Sequence, residues 1–202
     1  MRRYIPFNIV FCLSVLIACV IESRADGPRA VESRTNETYT HNGSQFPFPP
    51  KIGNYHRVAI TQYDHEALDV SVGYNLHSNE IAIIAMTVYI YPRIQRAPDD
   101  TLAGHFGTCK HEVSSHHPNA KLVSEGEVQA APGGLKRKGQ HATFTATEDL
   151  AGTQQPVRSE LYLFSLGRWF IKYRVTYPIG QQAVAEPLIR AFIDELAWPK
   201  GP

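Results

Sequence analysis

The order of the predicted strands and helices constrains the fold of this chain more than any single motif does. Hydrophobic periodicity in residues 52–198 predicts three strands, a helix, four strands and a final helix. Runs of strands with two helices that must cover sheet faces are typical of an α+β sandwich with a largely antiparallel sheet. The sequence therefore predicts a sheet of about six to seven strands with helices packed on its faces as a layered sandwich.

Alternation of apolar and polar residues marks the individual strands. Residues 68–76 alternate strictly, which is the period of a strand with one buried face. Residues 81–91 are apolar on both faces, as expected for a central strand covered on both sides. Turn residues at 132–134 and at 167–168 each join two strands into a hairpin. The predicted strands are residues 55–63, 68–76, 81–91, 121–130, 139–147, 158–166 and 169–177.

Two segments have the spacing of helices with one apolar face. Leu102, Phe106, Cys109 and Val113 recur at helical intervals after the capping carboxylates of residues 99 and 100. Each helix is therefore expected to lay one face on the sheet. The apolar face of the second helix consists of Ala185, Leu188, Ile189, Phe192, Ile193 and Leu196.

The first 21 residues have the pattern of a signal peptide. Arg2 and Arg3 precede an uncharged apolar run over residues 9–21, which is shorter than the about 20 apolar residues of a membrane span. Two cleavage interpretations stay open. Cys19 ends a sequence like the bacterial lipobox, whose cysteine becomes acylated, whereas Ala25 fits ordinary cleavage. The protein is predicted to be exported, either as a periplasmic or membrane-anchored envelope lipoprotein or as a secreted protein.

Residues 22–50 are rich in polar side chains and poor in large apolar ones. Such a segment cannot bury enough apolar surface to offset the entropy lost on ordering, so it is predicted to be a disordered tether. Its last residues, 46–50, form a stiff proline-rich piece that could lie against the domain. The remaining residues, 51–202, are predicted to form one domain.

Charge and cysteine content narrow the partners. The chain has 20 Lys and Arg against 19 Asp and Glu, so it has no general attraction for nucleic acid or for an anionic membrane. Cys109 is the only cysteine after the leader, which excludes a disulfide within the domain. The predicted partner is an envelope protein or a small ligand, with membrane contact only through a lipid anchor at Cys19.

The element order, together with an export leader, resembles the PsbP-like superfamily. Residues 48–53, Phe-Pro-Pro-Lys-Ile-Gly, and residues 69–74, Asp-Val-Ser-Val-Gly-Tyr, carry the resemblance. This superfamily includes extrinsic photosystem II subunits, a Ran-binding nuclear import factor and small envelope lipoproteins. The resemblance implies a shared scaffold and a role in binding or as an accessory subunit, and it transfers no functional residue.

Four side chains of the first predicted helix could bind a metal. His105, Cys109, Glu112 and His116 are spaced by four, three and four residues, so a continuous helix places them along one stripe. Cys109 also belongs to the apolar stripe of that helix, where a lone thiol is usually a small core residue. Both interpretations stay open.

Two polar clusters are weaker candidates. Lys136, Arg137 and Lys138 follow a glycine turn and could contact an anion or an acidic partner, or could be a solvated strand edge. Four residues where the first two strands meet could do acid–base chemistry, but they also have the composition of a solvated turn. These four are Asp64, His65, Glu66 and Asp69.

No nucleophile elbow or other catalytic signature is present in the sequence, and no cofactor is predicted. The sequence therefore favours an exported, non-catalytic binding or accessory module of the cell envelope. The alternative is a metal-dependent or hydrolytic enzyme that uses the four residues of the predicted metal stripe.

Overall fold

The structure, a computed structural model, describes residues 28–31, 36–78, 83–93 and 101–199. The predicted signal peptide, the lipidation candidate Cys19 and the capping carboxylates of residues 99 and 100 lie outside these ranges. The described residues contain no helix that is long and apolar enough to cross a membrane.

Eleven strands and two α-helices are described. The elements are β1 (Arg29–Ala30), β2 (Tyr39–Thr40), β3 (Pro47–Phe48), β4 (Lys51–Ile52), β5 (Tyr55–Gln62), β6 (Val70–Leu76), β7 (Ile84–Pro92), α1 (Leu102–His116), β8 (Lys121–Ala130), β9 (Arg137–Leu150), β10 (Thr153–Leu166), β11 (Trp169–Pro178) and α2 (Gln182–Glu195).

Nine of these strands form one antiparallel sheet with the order β1-β5-β6-β7-β11-β10-β9-β8, and β4 pairs with β5 outside this path. The last strand, β11, lies beside β7, with Ile171 opposite Ile90. This pairing joins the β5-β6-β7 meander to the β8-β9-β10 meander. Strand β11 therefore lies in the middle of the sheet, between two groups of strands that are distant in sequence.

The predicted α+β sandwich is wrong in its balance. In the described part of the chain, 51% of the residues lie in strands and only two α-helices are present, so the fold is β-rich. The sheet has nine strands rather than about six to seven. Its additional strands are two-residue pairings, β1 and β4, which are too short to show a period of two in the sequence.

The two helices lie on opposite faces of the sheet. Helix α2 packs its apolar side, which includes Ile189 and Phe192, on the larger core with β6, β7 and β11. Helix α1 packs Phe106, Cys109 and Val113 on a smaller core against β9, β10 and β11. Both buried faces are those that the helical spacing predicts. The alternate residues of β11 therefore contact different helices.

Part of the predicted tether belongs to the folded domain. Phe46 and Phe48 are fully buried, and their ring centroids lie 5.0 Å apart beneath Trp198 and Tyr39. Strands β2 and β3 pair with each other in this segment. Disorder up to residue 50 is therefore wrong for residues 36–50, because two phenylalanines provide the apolar surface that a polar average conceals.

Candidate functional site

A cleft of about 540 Å³ lies beside α1, on the sheet face opposite α2. Its floor comes from the central strands β7 and β11, and its wall comes from α1. The volume falls within the range of small-molecule sites in proteins, which is about 300–1,000 Å³. Three tyrosines, two basic residues, three acidic residues and three histidines line it: Tyr63, Tyr89, Tyr91, Lys172, Arg174, Asp69, Glu112, Glu148, His105, His116 and His117.

The cleft exists because α1 covers only part of its sheet face. The apolar side chains under α1 come mainly from β9 and β10, with Phe170 from β11. Beyond Phe170, the same face of β11 continues with Lys172, Arg174 and Thr176. Because successive residues of a strand point to opposite faces, the residues between them stay in the core with α2. A polar floor thus lies next to an apolar, covered one.

Lys172 is held in the cleft by both charge and aromatic contacts. Its Nζ lies 3.2 Å from Oε2 of Glu112 on α1. The same ammonium lies 4.7 Å from the ring centroid of Tyr89 and 5.5 Å from that of Tyr91. Only 15% of the Lys172 side chain is exposed, so these contacts are made in a partly desolvated place, where cation–π attraction is strengthened.

Arg174 and Glu148 are oppositely charged, and each has a buried atom without a hydrogen bond. Nη2 of Arg174 donates to Oγ of Ser159 over 2.7 Å, whereas its Nε has no partner in the described part of the structure. Burial lowers the pKa of Arg174, and the nearby charge of Glu148 opposes this effect. Oε1 of Glu148 lies 3.2 Å from Nδ1 of His117, an ion-pair distance without hydrogen-bond geometry.

Tyr91 organises the end of the cleft nearest to the start of α1. Its hydroxyl makes a 2.7 Å hydrogen bond with Nε2 of His105 and lies 3.7 Å from Sγ of Cys109. The His105 ring stacks on Phe170 with a centroid distance of 4.2 Å. Burial raises the pKa of Tyr91 and also that of the Cys109 thiol. Both groups are therefore neutral at pH 7, and neither is a ready nucleophile.

Cys109 should react slowly with iodoacetamide in the folded protein. Its side chain is 1% exposed and its pKa is raised, so little thiolate is available at neutral pH. We expect alkylation, followed by mass spectrometry, to be at least about tenfold slower in buffer than in urea. Ser114 is an exposed residue of the same helix, so Ser114→Cys provides a matched thiol that should react quickly. Equal rates at the two thiols would contradict the burial of Cys109.

The four residues of the predicted metal stripe all line the cleft. His105 is bonded to Tyr91, however, and Nδ1 of His116 is bonded to the backbone carbonyl of Glu112. Within the described residues, no group of three His, Cys, Asp or Glu side chains is placed to hold a metal ion. The metal site therefore stays a prediction from sequence.

The other two predicted clusters lie mostly outside the cleft. Lys136, Arg137 and Lys138 stand at the start of β9 by the β8 edge, and none of them lines the cleft. Asp64 accepts backbone hydrogen bonds from Leu68 over 2.8 Å and from Asp69 over 3.1 Å, as in a polar turn. Of that turn cluster, only Asp69 lines the cleft, and burial raises its pKa, as does the charge of Asp64.

Sequence reasoning missed the floor of the cleft. The alternation of residues 169–177 identifies the apolar face of β11, but Lys172 and Arg174 then have the pattern of a solvent-facing side. Tyr89 and Tyr91 fall in a strand that is predicted to be covered on both faces. The available signal was a pair of long basic residues, Lys172 and Arg174, within a strand that is otherwise rich in apolar residues. Such a strand is expected inside the sheet, where basic side chains need a partner or an open space.

A second polar cluster lies on the opposite sheet face, near α2. Glu160 is 2% exposed, and its carboxylate accepts hydrogen bonds from the hydroxyls of Tyr162 and Tyr177, each over 2.5 Å. Nε2 of His141 lies 3.2 Å from the same carboxylate. The cluster borders a smaller cleft of about 280 Å³, which Arg190 of α2 also lines. All the donors of this cluster come from the protein itself, so it is built as a structural network.

Comparison with known proteins supports the fold alone. No protein-family model matches the chain, and no curated protein matches it. A solved structure of a Pseudomonas aeruginosa protein of unknown function, described as a putative regulator, superimposes with a TM-score of 0.53 at 10% sequence identity. The match covers 74% of this chain and 100% of the other. At this identity, the similarity indicates a related arrangement of strands and helices and carries no information about function.

Proposed function

We propose that this protein is an exported, non-catalytic binding module of the cell envelope and that the cleft beside α1 holds its ligand. The observation that carries the proposal is the floor of the cleft, where Lys172 and Arg174 project from the central strand into a partly enclosed space. Charged side chains on a central strand are costly to desolvate. Their placement next to an open volume is therefore better explained by a ligand than by packing.

The chemistry of the cleft supports binding rather than catalysis. The thiol and the Tyr91 hydroxyl are both kept neutral by burial, so they supply no anionic nucleophile at neutral pH. Lys172 is hydrogen-bonded to Glu112, and the nearby tyrosines offer ring faces on which a ligand can stack. These are the properties of a recognition surface.

The cellular part of the proposal depends on the leader. Residues 1–21 have the pattern of an export signal, and Cys19 would determine whether the mature protein is anchored. A PsbP-like scaffold remains part of the proposal, because an antiparallel sheet with one helix on each face is compatible with it. Mass spectrometry of the native N-terminus distinguishes an acylated Cys19 from a start at Asp26.

Thr176→Trp should remove a bound small molecule from the native protein. Thr176 lines the cleft on β11, so an indole at this position would occupy the space while keeping a residue that favours strands. Wild-type protein would be isolated from its own envelope and examined by non-denaturing mass spectrometry. We expect one small molecule per chain in the wild type and none in the variant.

Thr147→Trp is the matched control. Thr147 is exposed on β9 and does not line the cleft, so this variant should keep the bound molecule. If neither the wild type nor the control carries a small molecule under any native isolation, the cleft is not the site of function. Loss of the molecule from both variants would likewise contradict its location.

A further inference from the structure

We propose that the ligand of the cleft is a zwitterionic α-amino acid, with its carboxylate on Arg174 and its ammonium on Glu148. The inference rests on the proposed function, since it names the chemical class that the cleft beside α1 would bind. Three features of the cleft support this ligand class: charges of both signs, two charged groups with incomplete hydrogen bonding, and an aromatic wall.

The charges that line the cleft are of both signs rather than a patch of one sign. Lys172 and Glu112 already neutralise each other through their 3.2 Å contact. The remaining formal charges are those of Arg174, Asp69 and Glu148, and Oε1 of Glu148 also lies 3.2 Å from Nδ1 of His117. A simple anion would approach two carboxylates, and a simple cation would approach a buried guanidinium. A ligand with both signs on neighbouring atoms meets an attractive partner at each end.

Arg174 and Glu148 are two cleft residues whose hydrogen bonding is incomplete. Nε of Arg174 is a buried donor without an acceptor, and Oε1 of Glu148 is a buried acceptor without a hydrogen-bond donor. Neither atom has accessible surface, so a ligand would meet the remaining atoms of these two side chains, which line the cleft. An α-amino acid carries its carboxylate and its ammonium on one carbon, so one molecule supplies an acceptor for the guanidinium and a donor for the carboxylate.

The rest of the cleft would hold the amino-acid side chain. Tyr63 and Tyr89 stack at a centroid distance of 6.5 Å, and Tyr91 continues the aromatic surface toward α1. A volume of about 540 Å³ leaves room for a large side chain after the charged groups are placed. The tyrosine rings favour an apolar or aromatic side chain, because contacts between such a side chain and the rings bury apolar area.

The test is calorimetric titration with each standard L-α-amino acid, followed by N-acetylated and carboxamide forms of the tightest one. Each blocked form should bind at least about tenfold more weakly than the free amino acid, because each loses one charge-assisted hydrogen bond. In E148Q the penalty for N-acetylation should disappear while the penalty for the carboxamide stays. In R174Q the penalty for the carboxamide should disappear while the penalty for N-acetylation stays. Near-ultraviolet circular dichroism checks that each variant is folded, and E148Q suffices if R174Q does not fold.

The results separate this inference from the function on which it rests. If no free amino acid binds, yet the native protein carries a small molecule that Thr176→Trp loses and Thr147→Trp keeps, the amino-acid assignment is wrong and the binding function stands. If an amino acid binds but E148Q keeps the full penalty for N-acetylation, the placement of the ammonium is wrong. If no small molecule is found on the native protein and no amino acid binds, both proposals are wrong.

Discussion

Replacing Phe192 with alanine should lower the free energy of unfolding by about 3–5 kcal/mol, the range for removing a buried aromatic ring from a core. Phe192 is 1% exposed on α2, and its ring packs edge-on against Tyr55 and Tyr74 with centroid distances of 4.8 and 5.1 Å. These rings come from β5 and β6, so one side chain connects the last helix to the first long strands. Urea unfolding followed by circular dichroism measures the change.

Phe192→Leu is the matched comparison, because it keeps most of the buried volume and removes the aromatic contacts. We expect it to cost less than about 1.5 kcal/mol, as volume-conserving core substitutions usually do. The slope of the unfolding free energy against urea should stay constant in both variants if the native fold is kept. A cost for the alanine variant below that of the leucine variant would mean that α2 does not pack on the sheet through this residue.

The long elements were predictable from sequence because each has one clear period. Alternation over residues 70–76 gives a strand, and the pair around Gly167 and Arg168 gives the β10–β11 hairpin. The balance of the fold was not predictable in the same way. Strand β9 continues to Leu150 and strand β10 begins at Thr153, although the residues around this turn are mostly polar and have the composition of a loop. Pairing with neighbouring strands overrides local propensity there.

The candidate site was only half predictable. The spacing of His105, Cys109 and Glu112 places them on one side of α1, and they do line one cleft. The facing residues, Lys172 and Arg174, are about 60 positions later in the chain, and only the assembled sheet, in which β11 lies between β7 and β10, brings them beside α1. An alternation with a period of two residues indicates which residues share a sheet face. It does not state how much of that face a helix will cover.

Glu160→Gln should lower the free energy of unfolding by about 2–4 kcal/mol at pH 7. The carboxylate is buried and accepts hydrogen bonds from Tyr162 and Tyr177, with His141 at 3.2 Å. Hydrogen bonds to a charged acceptor contribute about 1.5–3 kcal/mol each, and desolvation of the charge offsets part of their sum. Glutamine keeps the shape of the side chain, but its amide NH₂ is a donor that faces hydroxyls which donate to the carboxylate in the wild type.

The cost of Glu160→Gln should depend on pH. Burial acts to raise the pKa of Glu160, but the hydrogen bonds from His141, Tyr162 and Tyr177 outweigh it, so the pKa lies below its ordinary value. A carboxyl whose pKa is lower in the folded state stabilises the protein above its unfolded pKa, which is about 4.3 for Glu. That contribution is lost as the pH falls through the folded pKa. The difference between wild type and variant should therefore be largest near pH 7 and shrink below about pH 4.

Urea unfolding of both proteins between pH 7 and pH 3 measures this difference directly, and Glu127→Gln on β8 is the matched control. Glu127 is exposed, so its replacement should leave the free energy of unfolding unchanged within error at every pH. A cost for Glu160→Gln that stays constant on acidification would mean that the pKa of Glu160 is the same in the folded and unfolded states. A cost that grows on acidification would mean that burial outweighs the hydrogen bonds from Tyr162 and Tyr177, so that the carboxyl is protonated in the folded protein and stabilises it most at low pH.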